Sequence, residues 1–529
     1  MSKRVIPLFA VFVLCGAYLI YVMLCEALTQ EYVETVNSQA RCTVTVCSTR
    51  GAIYDRMLRP LAGCMSEYRA VVVPSNETAE NLAKIFPQGK IDEISDRLTG
   101  RTPFVVSVSD ACSAGNGVDI FSVPVRYGKR TLAPHILGYV NCDGKGVSGA
   151  ERVFDEYLSS CSGSMKATYT VDAVGRKLSG VKPQIFDSTP QSNAGVALTL
   201  DADIQMIAED AAKQCLGKGA ILVSEVSSGD ILACVSTPGF DPSDVAASLE
   251  SVDSPFVNRA FSDYDVGSVF KLVVAAAALE SGISPETSFE CTGSVDVGGV
   301  TFNCSSHTGH GLVNMEQATA FSCNSYFIQL AMQLGGEPIL DFAQKLGFSK
   351  CIELFENWQT DAGILPEKSM MRNPAALANL SFGQGKLMLT PLHIAGFIGA
   401  AANGGVMNEP VIAAGLADRG RNISPFERKD GTRVMSEETA AYLRKFMRAC
   451  MEYGTGKNVA VERAQCAAKT GSAETGMERG GHEVTQAWFA GFFPYDEPKY
   501  VCVVLAEDGV SGAASAGPAF AYIADRLSV

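Results

Sequence analysis

The sequence predicts an α+β fold, in which one antiparallel sheet is flanked by helices. Strand-like apolar runs lie near the C-terminal end at residues 487–493 and 499–505. The run Leu272–Leu279 is rich in Ala and Leu and contains no Gly or Pro, which favours a helix, and residues 204–215 have an amphipathic helical pattern. Strands grouped in one sheet, with helices before and after it, are typical of this class.

The N-terminal segment has the composition of a membrane anchor. Residues 5–25 are apolar and uncharged, which is long enough for a transmembrane helix. Lys3 and Arg4 precede this segment and Glu26 follows it, so the positive-inside rule predicts a cytoplasmic tail at 1–4 and an extracytoplasmic bulk. The alternative is a cleaved signal peptide, but the apolar stretch is long and no clear small-x-small cleavage site follows. We therefore expect a single-pass protein of the cell membrane.

Residues 30–191 form the first exported region. Within it, residues 50–56 (RGAIYDR) indicate a strand followed by a charged turn. Gly144, Gly146 and Gly149 satisfy the G-x-G-x-x-G pattern of dinucleotide-binding folds, and Asp172 lies about 20 residues further on. A lone match of this kind is often accidental, and nicotinamide cofactors are not expected outside the cell. We expect no dinucleotide site here.

The second exported region begins near residue 195 and contains a candidate nucleophile. Ser268 and Lys271 form an S-x-x-K motif at the start of the Leu272–Leu279 helix, and residues three apart on a helix share a face. A serine hydroxyl needs a nearby base, and a lysine kept neutral by burial or by a second cation can serve as one. A second S-x-x-K, Ser179 to Lys182, is followed by Pro183 rather than by a helix and indicates a surface loop.

Two further motifs follow in order. Ser322-Cys323-Asn324 is an S-x-N motif, and Lys469-Thr470-Gly471 is a K-T-G motif continued by Ser472. Alone, S-x-N is more often a helix cap and K-T-G a hairpin corner. Together and in this order they are a strong signal of serine acyl-transfer chemistry. Strand alternation is expected to point Lys469 into a cleft beside Ser322, with Thr470 turned away and Ser472 turned inward.

The three motifs resemble those of the penicillin-recognising serine acyl-transferases, and the rest of the chain is similar to a class B penicillin-binding protein. Residues 50–56 are similar to the R-G-x-I-x-D-R signature of the pedestal in that class, and residues 382–385 (FGQG) to its G-Q-G element. The resemblance implies an elongated, mostly-β pedestal domain of the dimerisation type at 30–191. It also implies a transpeptidase domain, with a fold like that of serine β-lactamases, at 195–529. No glycosyltransferase domain separates anchor and pedestal, which argues against the bifunctional class A proteins.

The resemblance also implies a mechanism and its residues. Ser268 would attack the penultimate D-Ala of a peptidoglycan stem peptide ending in D-Ala-D-Ala, or a β-lactam, while Lys271 accepts its proton. Ser322 would pass a proton to the leaving amine, Asn324 would hold Lys271 or the substrate, and Lys469 would supply a cation. The terminal carboxylate would bind to Thr470, Gly471 and Ser472, and the backbone N–H groups of Ser268 and Ser472 would form the oxyanion hole. The implied partner is a membrane glycosyltransferase of the shape or division type.

Charge and cysteine content limit the remaining function classes. A net charge of −14 and a pI near 5.0 argue against nucleic acid as a partner. The 17 cysteines are scattered and do not indicate a disulfide framework. Cys291 and Cys304 flank the Gly-rich hairpin 294–300 and could form a disulfide if the strand register brings their Cβ atoms together. No C-x-x-C or H-x-x-x-H pattern exists, so we expect no zinc site, no other metal and no organic cofactor.

Two other functions are open alternatives. A membrane-anchored serine β-lactamase shares the three motifs, but it needs a deacylating base and usually has no pedestal. A catalytically silent scaffold of a cell-wall synthesis complex would keep the fold for partner binding. The intact serines, lysines and asparagine of the motifs argue against the scaffold.

Overall fold

The computed structural model describes residues 2–27, 29, 40–63, 65–75, 78, 82, 86, 88–100, 102–108, 117–128, 130–172, 177–178, 180–479 and 482–528. The chain divides into two compact units, each made of several stretches of sequence. The first unit comprises Met1–Arg50, Gly63–Arg126 and Cys161–Asn193, and the second comprises Gly51–Ala62, Tyr127–Ser160 and Ala194–Val529.

The chain begins with the helix Ser2–Ala27. Within it, Val5–Ala27 spans 23 residues with a mean hydropathy of 2.5, which is long and apolar enough to cross a membrane. This helix fits the anchor predicted at 5–25. The side of the membrane on which the rest of the chain lies stays a prediction.

Apart from the helix Ser2–Ala27, the described residues of the first unit form mainly strands. One antiparallel sheet has the strand order Arg41–Thr49, Gly163–Thr170, Gln184–Asp187, and a second has the order Phe104–Val108, Met65–Val72, Val118–Val125. Val46 and Tyr169 of the first sheet share a buried cluster with Val71 and Val123 of the second. The helix Gln88–Leu98 places Ile94 in another cluster on the second sheet.

The single boundary predicted between residues 191 and 195 does not coincide with these units. Strand Ala52–Tyr54 pairs in parallel with Gly195–Leu198, so residues 51–62 belong to the second unit. The charged turn after this strand is fixed by the buried Asp55, which accepts hydrogen bonds from the backbone N–H groups of Met57 and Arg59 and from Arg59 Nε. A strand followed by a charged turn is thus confirmed, whereas the assignment of functions to the two regions stays a prediction.

The centre of the second unit is a five-stranded antiparallel sheet, which we call the central sheet. Its order is Ile231–Thr237, Gly219–Glu225, Tyr500–Ala506, His482–Phe493, Ala467–Arg479. Five residues, one from each strand, pair side by side across the sheet: Cys234, Leu222, Val503, Ala490 and Lys469. The sheet confirms the predicted strands at 487–493 and 499–505, and the K-T-G segment lies on its edge strand.

Side-chain alternation gives the central sheet two buried faces. On one face, Leu222, Val503 and Ala490 belong to the large core that contains most of the helix Lys271–Glu280. On the other face, Val223 and Val504 pack with the helices Ala202–Cys215 and Gly517–Leu527. The helices predicted at 204–215 and 272–279 are therefore confirmed, as is the α+β class, with helices on both faces of the sheet.

The remaining elements of the second unit surround this sheet. Its other helices are Pro134–Leu137, Gly149–Val153, Asp155–Ser160, Met315–Ala320, Asn324–Leu334, Gly336–Lys345, Pro374–Ser381, Pro391–Ala402 and Glu437–Glu452. Its other strands are Pro60–Ala62, Tyr264–Asp265, Phe289–Cys291, Ser294–Val297, Val300–Asn303, Gly311–Val313, Glu353–Phe355, Trp358–Gln359, Met388–Leu389, Val406–Met407, Ala413–Ala417, Ile423–Pro425 and Thr432–Arg433. The G-x-G-x-x-G stretch leads into a helix of only 5 residues, Gly149–Val153, and a βαβ unit needs a full crossover helix.

Candidate active site

Ser268 lies on a tight turn at the start of a buried helix. The turn Gly267–Phe270 is 3₁₀, and the α-helix begins at Lys271. Gly267 has φ +59°, and a Cβ at this position would lie 2.6 Å from the carbonyl oxygen of Ser472. Only glycine fits there, and this close approach sets the Ser268 turn against the K-T-G strand. Side chains three apart are eclipsed on a 3₁₀ turn, so Ser268 and Lys271 share a face as the motif predicts.

The side chain of Lys271 connects the first motif to the second. Its fully buried Nζ donates hydrogen bonds to the carbonyl oxygen of Ser322 at 2.7 Å, to Ser322 Oγ at 3.1 Å and to Asn324 Oδ1 at 2.7 Å. The structure therefore brings Lys271, Ser322 and Asn324 together, and Ser268 lies on the turn that leads into Lys271.

The third motif also contacts Ser322, through the side chain of Lys469. Lys469 is buried on the edge strand of the central sheet, and its Nζ donates to Ser322 Oγ at 3.1 Å and to the carbonyl oxygen of Thr470 at 2.8 Å. Lys469 thus points towards Ser322.

Burial and like charge lower the pKa values of these lysines. The pKa of Lys271 lies well below its usual 10.5, first because burial penalises the ammonium and second because Lys469 carries a positive charge nearby. Burial also lowers the pKa of Lys469. Three donated hydrogen bonds use all three hydrogens of an ammonium, so Lys271 can act as a base only after it loses one proton, and its lowered pKa favours that loss.

Ser268 itself is half-buried, and its hydroxyl makes no hydrogen bond to any other described residue. The Nζ of Lys271 is bound to Ser322 and Asn324 instead. Hydrogen bonds between a nucleophile and its base are often long before substrate binds, so this geometry does not remove Lys271 as the base. The rival Ser179 lies outside the described residues.

The S-x-N loop holds Ser322 in an unusual conformation. Ser322 has φ +56°, a left-handed region that serine rarely adopts. Its N–H donates to Thr319 O and the N–H of Cys323 donates to Ala318 O, so the preceding helix supports the turn. Asn324 Nδ2 donates to Asn303 O at 2.9 Å, which ties the loop to a neighbouring strand. Such strain persists only where the surroundings enforce it.

The edge strand places the other K-T-G residues differently from the prediction. Thr470 pairs with Phe489 and Ser472 with Ala487, two residues of the buried face opposite to Lys469. The expectation that Ser472 turns inward while Thr470 turns away is wrong, because residues two apart on a strand share a face. The hydroxyl of Thr470 lies 2.6 Å from that of Thr455, and Ser472 Oγ accepts a hydrogen bond from Gly512 N. Gly471 lies between them against the side chains of Val269 and Trp488.

The backbone of Ser472 faces the Ser268 turn. The carbonyl oxygen of Ser472 lies close to Gly267, so it points towards the Ser268 turn. On an extended strand the N–H and the carbonyl group of one residue point to the same side, so the N–H of Ser472 also points towards this turn. The G-Q-G element packs against the turn that carries Ser268. The carbonyl oxygen of Gly383 accepts a hydrogen bond from Gly267 N at 2.9 Å, and a Cβ on Gly383 would lie 1.9 Å from Gly267 O. The N–H of Ser472 is thus directed towards the turn that carries Ser268.

A cluster of sulfur and nitrogen ligands lies directly beside this site. The Sγ atoms of Cys291, Cys304 and Cys323 and one ring nitrogen of His310 all lie within 4.8 Å of one another. The proposed Cys291–Cys304 disulfide is not formed: both thiols are free, and the register places Cys304 opposite Gly293, because strand Ser294–Val297 pairs with Val300–Asn303. We expected no zinc site because the sequence lacks the short zinc-binding motifs. The fold nevertheless brings together four side chains that can bind a metal.

Comparison with known proteins identifies a matching family. A family model described as the penicillin-binding protein transpeptidase domain matches residues 219–525, which include all three motifs. The chain is 30% identical over 395 residues to stage V sporulation protein D of Bacillus subtilis, an alignment that covers 71% of this chain and 58% of that protein. The chain thus spans less than two thirds of the length of that relative.

Two further proteins are similar over more of their own length. The chain is 30% identical over 371 residues to the peptidoglycan D,D-transpeptidase PbpA of Mycobacterium tuberculosis, covering 66% of this chain and 73% of that protein. The crystal structure of penicillin-binding protein 3 of M. tuberculosis, complexed with aztreonam, superposes with a TM-score of 0.66 at 25% identity, covering 92% of this chain and 96% of that one.

Proposed function

Because this chain belongs to the penicillin-binding protein transpeptidase family, we propose that it is a peptidoglycan D,D-transpeptidase of the class B type. It would cross-link stem peptides through an acyl-enzyme on Ser268, and β-lactams would acylate the same serine. One observation carries the proposal: the buried Lys271 and Lys469 both bind the hydroxyl of Ser322, on the face that carries Ser268.

In the acylation step, Ser268 Oγ attacks the carbonyl carbon of the penultimate D-Ala. Lys271 is the general base that takes the hydroxyl proton, and its depressed pKa supports this role because the neutral amine is available. The oxyanion of the tetrahedral intermediate is stabilised by the backbone N–H groups of Ser268 and Ser472. The C–N bond then breaks, and the terminal D-Ala leaves with a proton that passes through Ser322.

In the second step, the amine of another stem peptide attacks the acyl-enzyme. The same groups work in reverse: a proton leaves the attacking amine, the new amide forms, and Ser268 regains its hydrogen. Asn324 holds the amine of Lys271 at 2.7 Å and keeps it directed at this path. No step requires an organic cofactor.

The K-T-G strand provides the binding site for the terminal carboxylate of the substrate. Lys469 supplies a cation, and the backbone of residues 470–472 lies on the same strand, whereas the hydroxyls of Thr470 and Ser472 lie on the opposite face of that strand. The contact between Thr455 and Thr470 fixes the orientation of one of these hydroxyls. A free carboxylate after the scissile bond therefore distinguishes the substrate from an internal peptide bond.

The helix Val5–Ala27 would anchor the chain in the cell membrane, with residues 1–4 in the cytoplasm and the catalytic unit outside. Peptidoglycan lies on that side of the membrane. A membrane glycosyltransferase of the shape or division type, which polymerises the glycan strands, is the partner that family membership suggests.

Exposure of the purified chain to a fluorescent penicillin tests the proposal. We expect a stable covalent band in the parent and none in Ser268→Ala. A band that disappears within minutes, together with hydrolysed penicillin in solution, would indicate a β-lactamase. A folded chain that forms no adduct would indicate the catalytically silent scaffold.

A further inference from the structure

Three cysteines and one histidine converge at one point beside the S-x-N motif, although they are scattered over 33 positions of sequence between Cys291 and Cys323. We propose that Cys291, Cys304, Cys323 and His310 bind one Zn²⁺ ion, which holds Ser322 and Asn324 in place. The metal site itself is independent of the proposed function, whereas its positioning role rests on it.

Three ligand-to-ligand distances in the cluster match a tetrahedral zinc site. Cys304 Sγ lies 3.8 Å from Cys323 Sγ, and His310 Nδ1 lies 3.5 Å from Cys304 Sγ and 3.6 Å from Cys291 Sγ. Tetrahedral Zn²⁺ with Zn–S bonds of about 2.3 Å and Zn–N bonds of about 2.0 Å requires about 3.8 Å between sulfurs and about 3.5 Å between sulfur and nitrogen. A disulfide needs about 2.0 Å between sulfurs, so these side chains are spaced for a shared ion rather than for a covalent bond.

The backbone around the cluster is built to hold this spacing. His310 N donates to Cys291 O at 3.1 Å, which brings two ligands together across a strand pair. Gly309, with φ +80°, makes this approach sterically accessible, because a Cβ there would lie 2.1 Å from Cys291 O. The ring of His310 stacks on Phe321 with centroids 5.5 Å apart and planes within 4°, and this contact fixes the direction of its nitrogens.

The chemistry of the ligands favours zinc in a structural role. Three thiols and one imidazole form a Cys₃His set, a common closed four-coordinate zinc site, and they leave no open position for substrate. The three cysteines are buried and the histidine is half-buried, so the ion would be shielded from water. Each thiol loses its proton on binding, and the resulting thiolate of Cys323 accepts a hydrogen bond from Tyr326 N.

The site is coupled directly to the catalytic residues. Cys323 is the middle residue of Ser322-Cys323-Asn324, so a metal bond to its sulfur restrains the residues on both sides. Ser322 is held at φ +56°, and Asn324 Nδ2 bonds to Asn303 O, next to Cys304. The ion would therefore oppose relaxation of the strained serine and keep its hydroxyl between the two lysines.

Metal analysis of the full chain tests the proposal. The protein is purified in detergent without air and without added metal, passed over a chelating resin, and measured by inductively coupled plasma mass spectrometry. We expect about one zinc per chain in the parent and in the matched control Cys234→Ala, which alters a buried cysteine outside the cluster. We expect less than a tenth of that zinc in Cys291→Ala and in His310→Gln, whose wild-type histidine is only half-buried.

A second measurement covers the case in which a variant fails to fold. Parent protein stripped of its metal and titrated with Co²⁺ should develop the strong visible absorption of tetrahedral thiolate-bound cobalt, with a break at one equivalent. Zinc content unaffected by either cluster variant, a parent without metal, or a disulfide within the cluster would each overturn the proposal. Zinc without a penicillin adduct would refute only the proposed transpeptidase function, and an adduct without zinc would refute only the metal site.

Discussion

Lys271 and Lys469 both donate a hydrogen bond to one atom, Ser322 Oγ, each at 3.1 Å. A hydroxyl oxygen has two lone pairs, and these donors occupy both. The hydroxyl hydrogen of Ser322 then points to neither lysine. This arrangement supports a proton path from Lys271 through Ser322 to the leaving amine.

The first prediction concerns the base. Lys271→Ala should lower the second-order rate of acylation by penicillin by about 10²–10⁴-fold, the usual effect of removing a general base. The variant should fold, which circular dichroism checks, and the exposed Lys457→Ala serves as a control with an unchanged rate. If Lys271→Ala reacted within a few-fold of the parent, another group would have to be the base.

The second prediction separates charge from shape at Lys469. Lys469→Arg keeps a positive charge beside Lys271 but does not fit the compact, fully buried ammonium site. We expect it to weaken acylation less than Lys469→Ala does, since the charge effect on Lys271 survives. Acylation rates of the two variants decide the point, and equal losses would show that charge does not matter.

The third prediction is a pH dependence. Acylation should speed up as the pH rises through the pKa of Lys271, and burial and Lys469 place this pKa below the usual 10.5. Removal of the like charge in Lys469→Ala favours the protonated form of Lys271 and raises its pKa, so the rise in rate should move to higher pH. A profile that stays in place or moves to lower pH in this variant would contradict the coupling between the two lysines.

The fourth prediction tests the turn that carries Ser268. Gly267→Ala places a Cβ 2.6 Å from Ser472 O and should abolish acylation by moving the Ser268 turn off the strand. Gly282→Ala is the matched control, because Gly282 also has a positive φ, +81°, but no atom within 4 Å of its Cβ position. The control should lose only about 1–2 kcal/mol of stability through its backbone conformation and keep its acylation rate. Equal rates in the two variants would argue against the contact.

The motifs predicted which residues form the candidate site because each motif carries its chemistry in three or four adjacent residues. Ser268, Ser322 and Lys469 could be assigned to a helix start, a loop and a strand from local patterns alone. The long strands at 487–493 and 499–505 were predictable for the same reason, since their apolar runs are continuous.

Features that depend on distant pairing were not predictable in this way. The parallel pairing of Ala52–Tyr54 with Gly195–Leu198 has no local signature, so the interleaving of the two units was missed. The cysteine cluster was missed because its ligands are separated along the chain and meet only after the strands around Cys291 and His310 have paired. The face of Ser472 could have been predicted, because the two-residue period of a strand already groups it with Thr470.

Mass spectrometry of the penicillin-labelled chain tests whether Ser268 is the nucleophile. The intact mass should increase by one penicillin, and peptide mapping should place the adduct on Ser268, which among the described residues combines a lysine one turn away with both partner motifs. An adduct on Ser179, on Ser322 or on any other residue, or a folded chain with no adduct, would show that Ser268 is not the acylated nucleophile.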